Sequence, residues 1–70
     1  MSAREGDYIL ITDTEDERYL QIGEILEVEY FEHCDDIKYY MVRFADKEVI
    51  RYGYELVDDY KCKVLMFERR

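Results

Sequence analysis

The chain predicts an all-β fold: a five-stranded antiparallel meander closed into a small barrel, with a short 3-10 turn before the last strand. Three observations predict it. Eight tyrosines, three phenylalanines and many Ile and Val residues favour extended backbone, because such side chains pack well on a pleated surface. Apolar and polar residues alternate with period two in several short runs, the spacing of half-buried strands. No window longer than about ten residues keeps apolar positions at i, i+3, i+4 and i+7, as an amphipathic helix requires. Short strands without crossover helices join antiparallel, and closure removes edges that would pair with other chains.

Each element follows in order. Tyr8-Ile9-Leu10-Ile11-Thr12, introduced by Gly6-Asp7, reads as the first strand. Asp13 to Arg18 is polar and turn-prone, and Tyr19, Leu20 and Ile22 bring the chain back to the core. Gly23 precedes a second strand from Glu24 to Glu32. There Leu26, Val28 and Tyr30 share one face and Glu27, Glu29 and Phe31 the other. The adjacent pair Ile25-Leu26 breaks the alternation and predicts a bulge or bend. His33-Cys34-Asp35-Asp36 is a turn. In the third strand, Ile37 to Phe44, the residues Tyr40, Val42 and Phe44 face the core, opposite Tyr39, Met41 and Arg43. Ala45-Asp46-Lys47 is a tight connection. Glu48 to Tyr52 forms the fourth strand, ended by Gly53, whose freedom at positive φ suits a strand end. Tyr54-Glu55-Leu56-Val57 makes a single helical turn. The fifth strand spans Tyr60 to Glu68, with Cys62, Val64 and Met66 alternating with Lys63, Leu65 and Phe67.

Seventy residues suffice for one domain, residues 1–70. A chain of this size buries only about 60% of its unfolded surface, so its core is thin. The two cysteines, Cys34 and Cys62, lack any paired spacing and read as thiols in a reducing, cytoplasmic setting. Met1 to Gly6 has no apolar stretch of the signal-peptide kind. No apolar run approaches the roughly 20 residues that span a bilayer.

The net charge of −8 is unevenly placed. Residues 5–36 hold twelve Asp and Glu against the single base Arg18, whereas residues 37–70 hold eight Lys and Arg against six acids. Such a chain is repelled by phosphate backbones and anionic membranes, and attracts basic proteins. Solubility is the plainest use of this charge. Glu24, Glu27, Glu29 and Glu32, with Asp35 and Asp36, form an acidic stripe. It serves as a solvated face, as a dock for a basic partner, or as a mimic of nucleic acid that occupies a basic protein.

Several short motifs resemble a known group. Gly6-Asp7-Tyr8-Ile9-Leu10-Ile11 is similar to the G-D-x-V-x-I first strand of small SH3-like barrels. Ile22-Gly23-Glu24-Ile25-Leu26-Glu27-Val28 resembles their x-G-x-V-x-x-V second strand, and Val42-Arg43-Phe44-Ala45-Asp46 their V-x-F-x-D third. Tyr54-Glu55-Leu56 sits where these barrels often carry x-x-E-L. The resemblance covers residues 6–57 and implies an SH3-like barrel of the layout that Tudor and KOW modules share, as does a small peripheral subunit of photosystem I. It implies a fold rather than a function. RNA-binding KOW modules are basic, and this chain is acidic. SH3 domains that hold Pro-rich peptides carry an ALYDY-type stretch and tryptophan, and this chain has no Trp.

No parts of an enzyme assemble in the sequence. Nucleophilic catalysis needs Ser or Cys beside His and an orienting acid, but His33 is the sole histidine, Cys34 is merely its neighbour, and Ser2 lies at the terminus. Zinc needs about four converging ligands, and consecutive turn residues diverge. The expectation is a non-catalytic, monomeric module without metal or cofactor that binds a protein or peptide of basic character, rather than nucleic acid or membrane. Tyr19, Tyr39, Tyr52 and Tyr54, with Asp46 or Glu55 and with Glu27 and Glu29 of the stripe, are the candidate interaction residues; aromatic rings beside carboxylates hold cations. Covering a thin core is the simpler role for these tyrosines. The alternative is a nucleic-acid-associated barrel, with Arg43, Lys47, Arg51, Lys61 and Lys63 gathered on one side.

Overall fold

The structure is a computed structural model that describes residues 3–65. β1 (Tyr8–Ile11), β2 (Ile22–Tyr30), β3 (Ile37–Phe44), β4 (Val49–Gly53) and β5 (Cys62–Leu65) form one antiparallel sheet in the order β4-β3-β2-β1-β5. α1 (Glu55–Asp58) is a single turn between β4 and β5. The five strands stand where the alternation places them, each within a few residues. The last is described only to Leu65, and Met66, Phe67 and Glu68 lie outside the described residues. β4 and β5 are the sheet's edges, and no ladder joins them among the described residues. α1 touches both edge strands, and its Leu56 and Val57 are buried between them.

β2 carries the curvature. Gly23 and Glu24 pair with β1 on one side and β3 on the other. The register with β3 then slips: Ile25 lies opposite Val42 but Glu27 opposite Met41, so Leu26 is the extra residue. This is the bulge that Ile25-Leu26 predicts, and a bulge bends its strand. It also switches which residues face inward. Ile25 is fully buried before it, and Val28, opposite Tyr40, packs against the core after it. Tyr30, predicted to share the face of Val28, lies beyond a second slip in register and is exposed.

The core is small, as the length requires. Ile9 and Ile11 from β1, Ile25 from β2, Tyr40, Val42 and Phe44 from β3, and Leu56 and Val57 from α1 meet there with Ala3. Tyr40 is almost wholly buried, and its hydroxyl is hydrogen-bonded to the backbone of Ala3, which satisfies a polar atom that burial would otherwise penalise.

Turn chemistry sets the connections. Arg4 to Asp7 close a turn through Asp7 N–H to Arg4 C=O (3.0 Å). Gly6 takes its third position at φ 90°, where a side chain would clash. Asp13, Asp16 and Asp46 each accept a backbone N–H two residues on, from Glu15 (3.0 Å), Arg18 (2.7 Å) and Glu48 (3.0 Å). These are Asx turns, the reason Asp favours such positions. Lys47 at φ 70° completes a three-residue hairpin loop of the kind that ends in a left-handed residue.

Three expectations need correction. The turn before β5 is α rather than 3-10, because Asp58 and Asp59 donate to the carbonyls of Tyr54 (3.2 Å) and Glu55 (2.9 Å), four residues back. Tyr60 belongs to the end of this turn and not to the strand. It sits at φ 55° while Tyr60 N–H reaches Val57 C=O and Lys61 N–H reaches Leu56 C=O, both at 3.1 Å. That is the paired closure of a helix C-terminus, normally built on glycine. Gly53 stays in the ladder opposite Tyr39 without positive φ.

Gly23 is required by space. A Cβ there would run into Val42 Cγ1 and approach the Phe44 ring to 3.1 Å. Gly23→Ala is therefore expected to destabilise by about 1–3 kcal/mol, the cost of overpacking a core. Ordinarily the change from glycine to alanine in a strand is stabilising. Urea titration checks the sign: a midpoint equal to or above the wild-type value refutes the close-packing account.

Candidate functional site

The loop between β2 and β3 folds back on itself. Phe31 N–H donates to Asp36 C=O (2.9 Å), Cys34 N–H to Phe31 C=O (3.3 Å), and His33 takes φ 68°. Phe31, Asp35 and Asp36 are thereby set against the start of β3. Tyr54 caps α1 and Asp58 ends it. Between loop and helical turn lies a groove of about 540 Å³ lined by Phe31, Asp35, Asp36, Ile37, Tyr54 and Asp58. Phe31 and Tyr54 are 43% and 44% exposed, so both rings are wet on one side. Lys38 Nζ already stands 5.8 Å over the Phe31 ring, a distance at which the ring's quadrupole attracts a cation.

A second hollow of about 630 Å³ adjoins it, lined by Val57, Asp58, Tyr60, Cys62, Lys63 and Val64. Asp58 belongs to both walls. A third, smaller hollow on the outer face of β1 and β2 includes Tyr8, Ile22 and the ion pair of Arg43 with Glu24 (2.9 Å). Among the described residues no three His, Cys, Asp or Glu side chains converge to hold a metal ion, and no helix is long and apolar enough to cross a membrane.

The candidate tyrosines do not form one face. Tyr52 lies opposite the core residue Tyr40, and Tyr39, one residue along from Tyr40, points to the other side of the sheet. Tyr52 packs edge-on against Phe44 (centroids 6.4 Å apart) and its hydroxyl is hydrogen-bonded to Asp16. Arg51 covers the Tyr39 ring at 5.2 Å. Tyr19 is exposed in the loop after β1. Of the four, Tyr54 alone lines the groove.

The carboxylates divide in the same way. Asp46 is held by the fold: Arg18 bridges it (2.8 Å) and Glu48 (2.9 Å) while lying 4.8 Å over the Phe44 ring. The Glu48 N–H, followed by Arg18, holds the Asp46 carboxyl below its usual range, and the hydrogen bond to Asp46 raises Arg18. Glu27 and Glu29 stand side by side on β2. The hydrogen bond to Glu29, then its charge, pushes the Glu27 carboxyl up, with a further contribution from Glu5. Glu24 is paired with Arg43. The basic residues are dispersed as well: Arg43 and Arg51 are on β3 and β4, and Lys63 is on β5 with β1 and β2 between.

Sequence reasoning missed Phe31, Ile37, Asp58 and Tyr60 as lining residues. Alternation along β2 put Phe31 on the face of Glu27 and Glu29, and nothing local to the chain brings α1 beside the β2–β3 loop. The signal it did hold was Asp35-Asp36 at the end of the acidic stripe.

Both thiols are free, Cys34 exposed and Cys62 half-buried. Burial pushes the Cys62 thiol up to about 11 and also raises Tyr52 and Tyr40. An unfolded thiol ionises near ~8.5. Above that pH the unfolded chain holds fewer protons than the folded one, so stability falls as pH rises toward the folded value. Melting temperature is expected to drop between about pH 9 and 11, and Cys62→Ala is expected to flatten the first part of that drop. An unchanged slope in the variant rules out Cys62 as its source. Raised Glu27 has the opposite test. Glu27→Gln is expected to melt above wild type at neutral pH and low salt, with the gap closing at high salt; a lower melting point there refutes the repulsion. In comparisons with known protein families, curated proteins and solved structures, the chain matches none.

Proposed function

We propose that the chain is a non-catalytic interaction module of the SH3-like barrel kind, whose groove between the β2–β3 loop and α1 holds a basic peptide segment of a protein partner. The observation that carries this is the groove's composition: Phe31 and Tyr54 beside the carboxylates of Asp35, Asp36 and Asp58. Aromatic faces next to negative charge favour Arg and Lys side chains. The barrel reading is supported by the order β5-β1-β2-β3-β4, by the bent β2 and by the helical turn that lies against both edges.

The test is fluorescence anisotropy with a labelled arginine–serine peptide and a glutamate–serine control. The arginine peptide is expected to bind, with an affinity that falls as salt rises. Asp36→Asn and Asp58→Asn are each expected to weaken it several-fold, in the range of roughly 1 kcal/mol per charge-assisted contact. Equal binding of the two peptides, or indifference to both substitutions, refutes the reading.

A further inference from the structure

We infer that Lys38 is the groove's own ligand: its ammonium holds the place on the Phe31 ring that a base of the bound segment takes, so a partner must displace it to bind. This rests on the basic-peptide reading above and names a contact within the chain that regulates the same site. Lys38 Nζ stands 5.8 Å from the centroid of the Phe31 ring, within reach of the ring's attraction for a cation. Phe31 is a wall of the groove, together with Asp35 and Asp36. The ring is 43% exposed, and Lys38 is exposed as well. An ammonium is strongly hydrated, so Lys38 meets the ring on its wet side, the side by which a ligand arrives.

The backbone aims Lys38 there. Glu29 lies opposite Tyr39 but Tyr30 opposite Ile37, so Lys38 is the extra residue of β3 at the second slip in register. A bulge re-aims the side chain it carries, and the residue out of register is the one whose ammonium reaches the groove's ring. Among the described residues Lys38 forms no ion pair, so the ring is the partner it gives up on displacement. The contact is exposed and therefore exchangeable: a cation on an open ring is held by a factor of about two to five. A ligand that must displace it loses affinity by the same order, because only the fraction of molecules with an open ring is competent to bind.

The experiment is anisotropy with the arginine–serine peptide on wild type, Lys38→Met and Lys38→Arg. Lys38 is exposed and outside the core, and both replacements keep a straight side chain, so both variants fold. Lys38→Met is expected to bind the peptide about two- to fivefold more tightly than wild type. Lys38→Arg is expected to bind it more weakly, because a guanidinium stacks on a ring better than an ammonium does. Relief of repulsion between like charges also tightens binding in Lys38→Met, but it leaves Lys38→Arg at the wild-type affinity. An affinity of Lys38→Arg equal to or above wild type therefore overturns the inference, as does a Lys38→Met that binds no more tightly; in either case binding of the arginine peptide leaves the acidic groove standing. If the peptide binds Lys38→Met and not wild type, Lys38 closes the groove and the inference is supported. If it binds neither, both readings fail.

Discussion

The bend in β2 is the constraint on which the rest of this structure depends. A flat sheet of five short strands has one face to bury and nothing to bury it against. By pairing with β1 on one side and β3 on the other, and by bending at the Leu26 bulge, β2 wraps its neighbours around a shared interior. Gly23 lets Val42 and Phe44 come close enough to fill that interior. Ile9, Ile25 and Val42 are then fully buried in a chain of only seventy residues. The side-chain inventory is thin, and packing at native density makes each position sensitive to a single added methyl group.

The two ends of the sheet are tied in by different means. β4 and β5 have no common ladder, and α1 places Leu56 and Val57 between them. On the opposite flank Arg18 holds the long loop after β1 to the turn between β3 and β4, with its guanidinium shared among Asp46, Glu48 and Gln21 and its flat face over Phe44. Its side chain is only 12% exposed. An arginine suits this place because a planar fork binds two carboxylates and stacks on a ring at once, which a lysine cannot do.

The acidic excess, taken whole, says little about a partner. Sorted by role, much of it is structural. Asp13, Asp16 and Asp46 build turns, Glu24 and Glu48 hold arginines, and Glu27 stands beside Glu29, which raises its carboxyl. Asp35, Asp36 and Asp58 are the carboxylates that line a groove together with aromatic rings. A like-charged surface dissipates in salt water within about a Debye length, so the total charge of the chain distinguishes partners less than the placement of these three carboxylates does.

Period-two alternation, turn residues and the interrupted pair Ile25-Leu26 were enough to read all five strands, the inward set Tyr40, Val42 and Phe44, and the bulge, because each depends on neighbours along the chain. The helical turn at Glu55 was legible for the same reason; its α character and the capture of Tyr60 at its end were not, since four-residue and three-residue closures differ little in local preference. Among the candidate interaction residues the sequence distinguished tyrosines only by type. Tyr52 turned inward to Phe44 and Asp16, Tyr39 outward beneath Arg51, and Asp46 toward Arg18, through pairings between strands far apart in the chain. The groove brings residues 31–37 beside residues 54–58, and no spacing within either segment encodes that meeting. The sequence by itself determined the strands, the inward set of β3 and the sign of the charge, because those follow from local periodicity and composition; the two register slips in β2 decided its faces. Tertiary structure alone decided which carboxylates and rings stand together, because that is settled by strand register and by the packing of α1 over the end of the sheet.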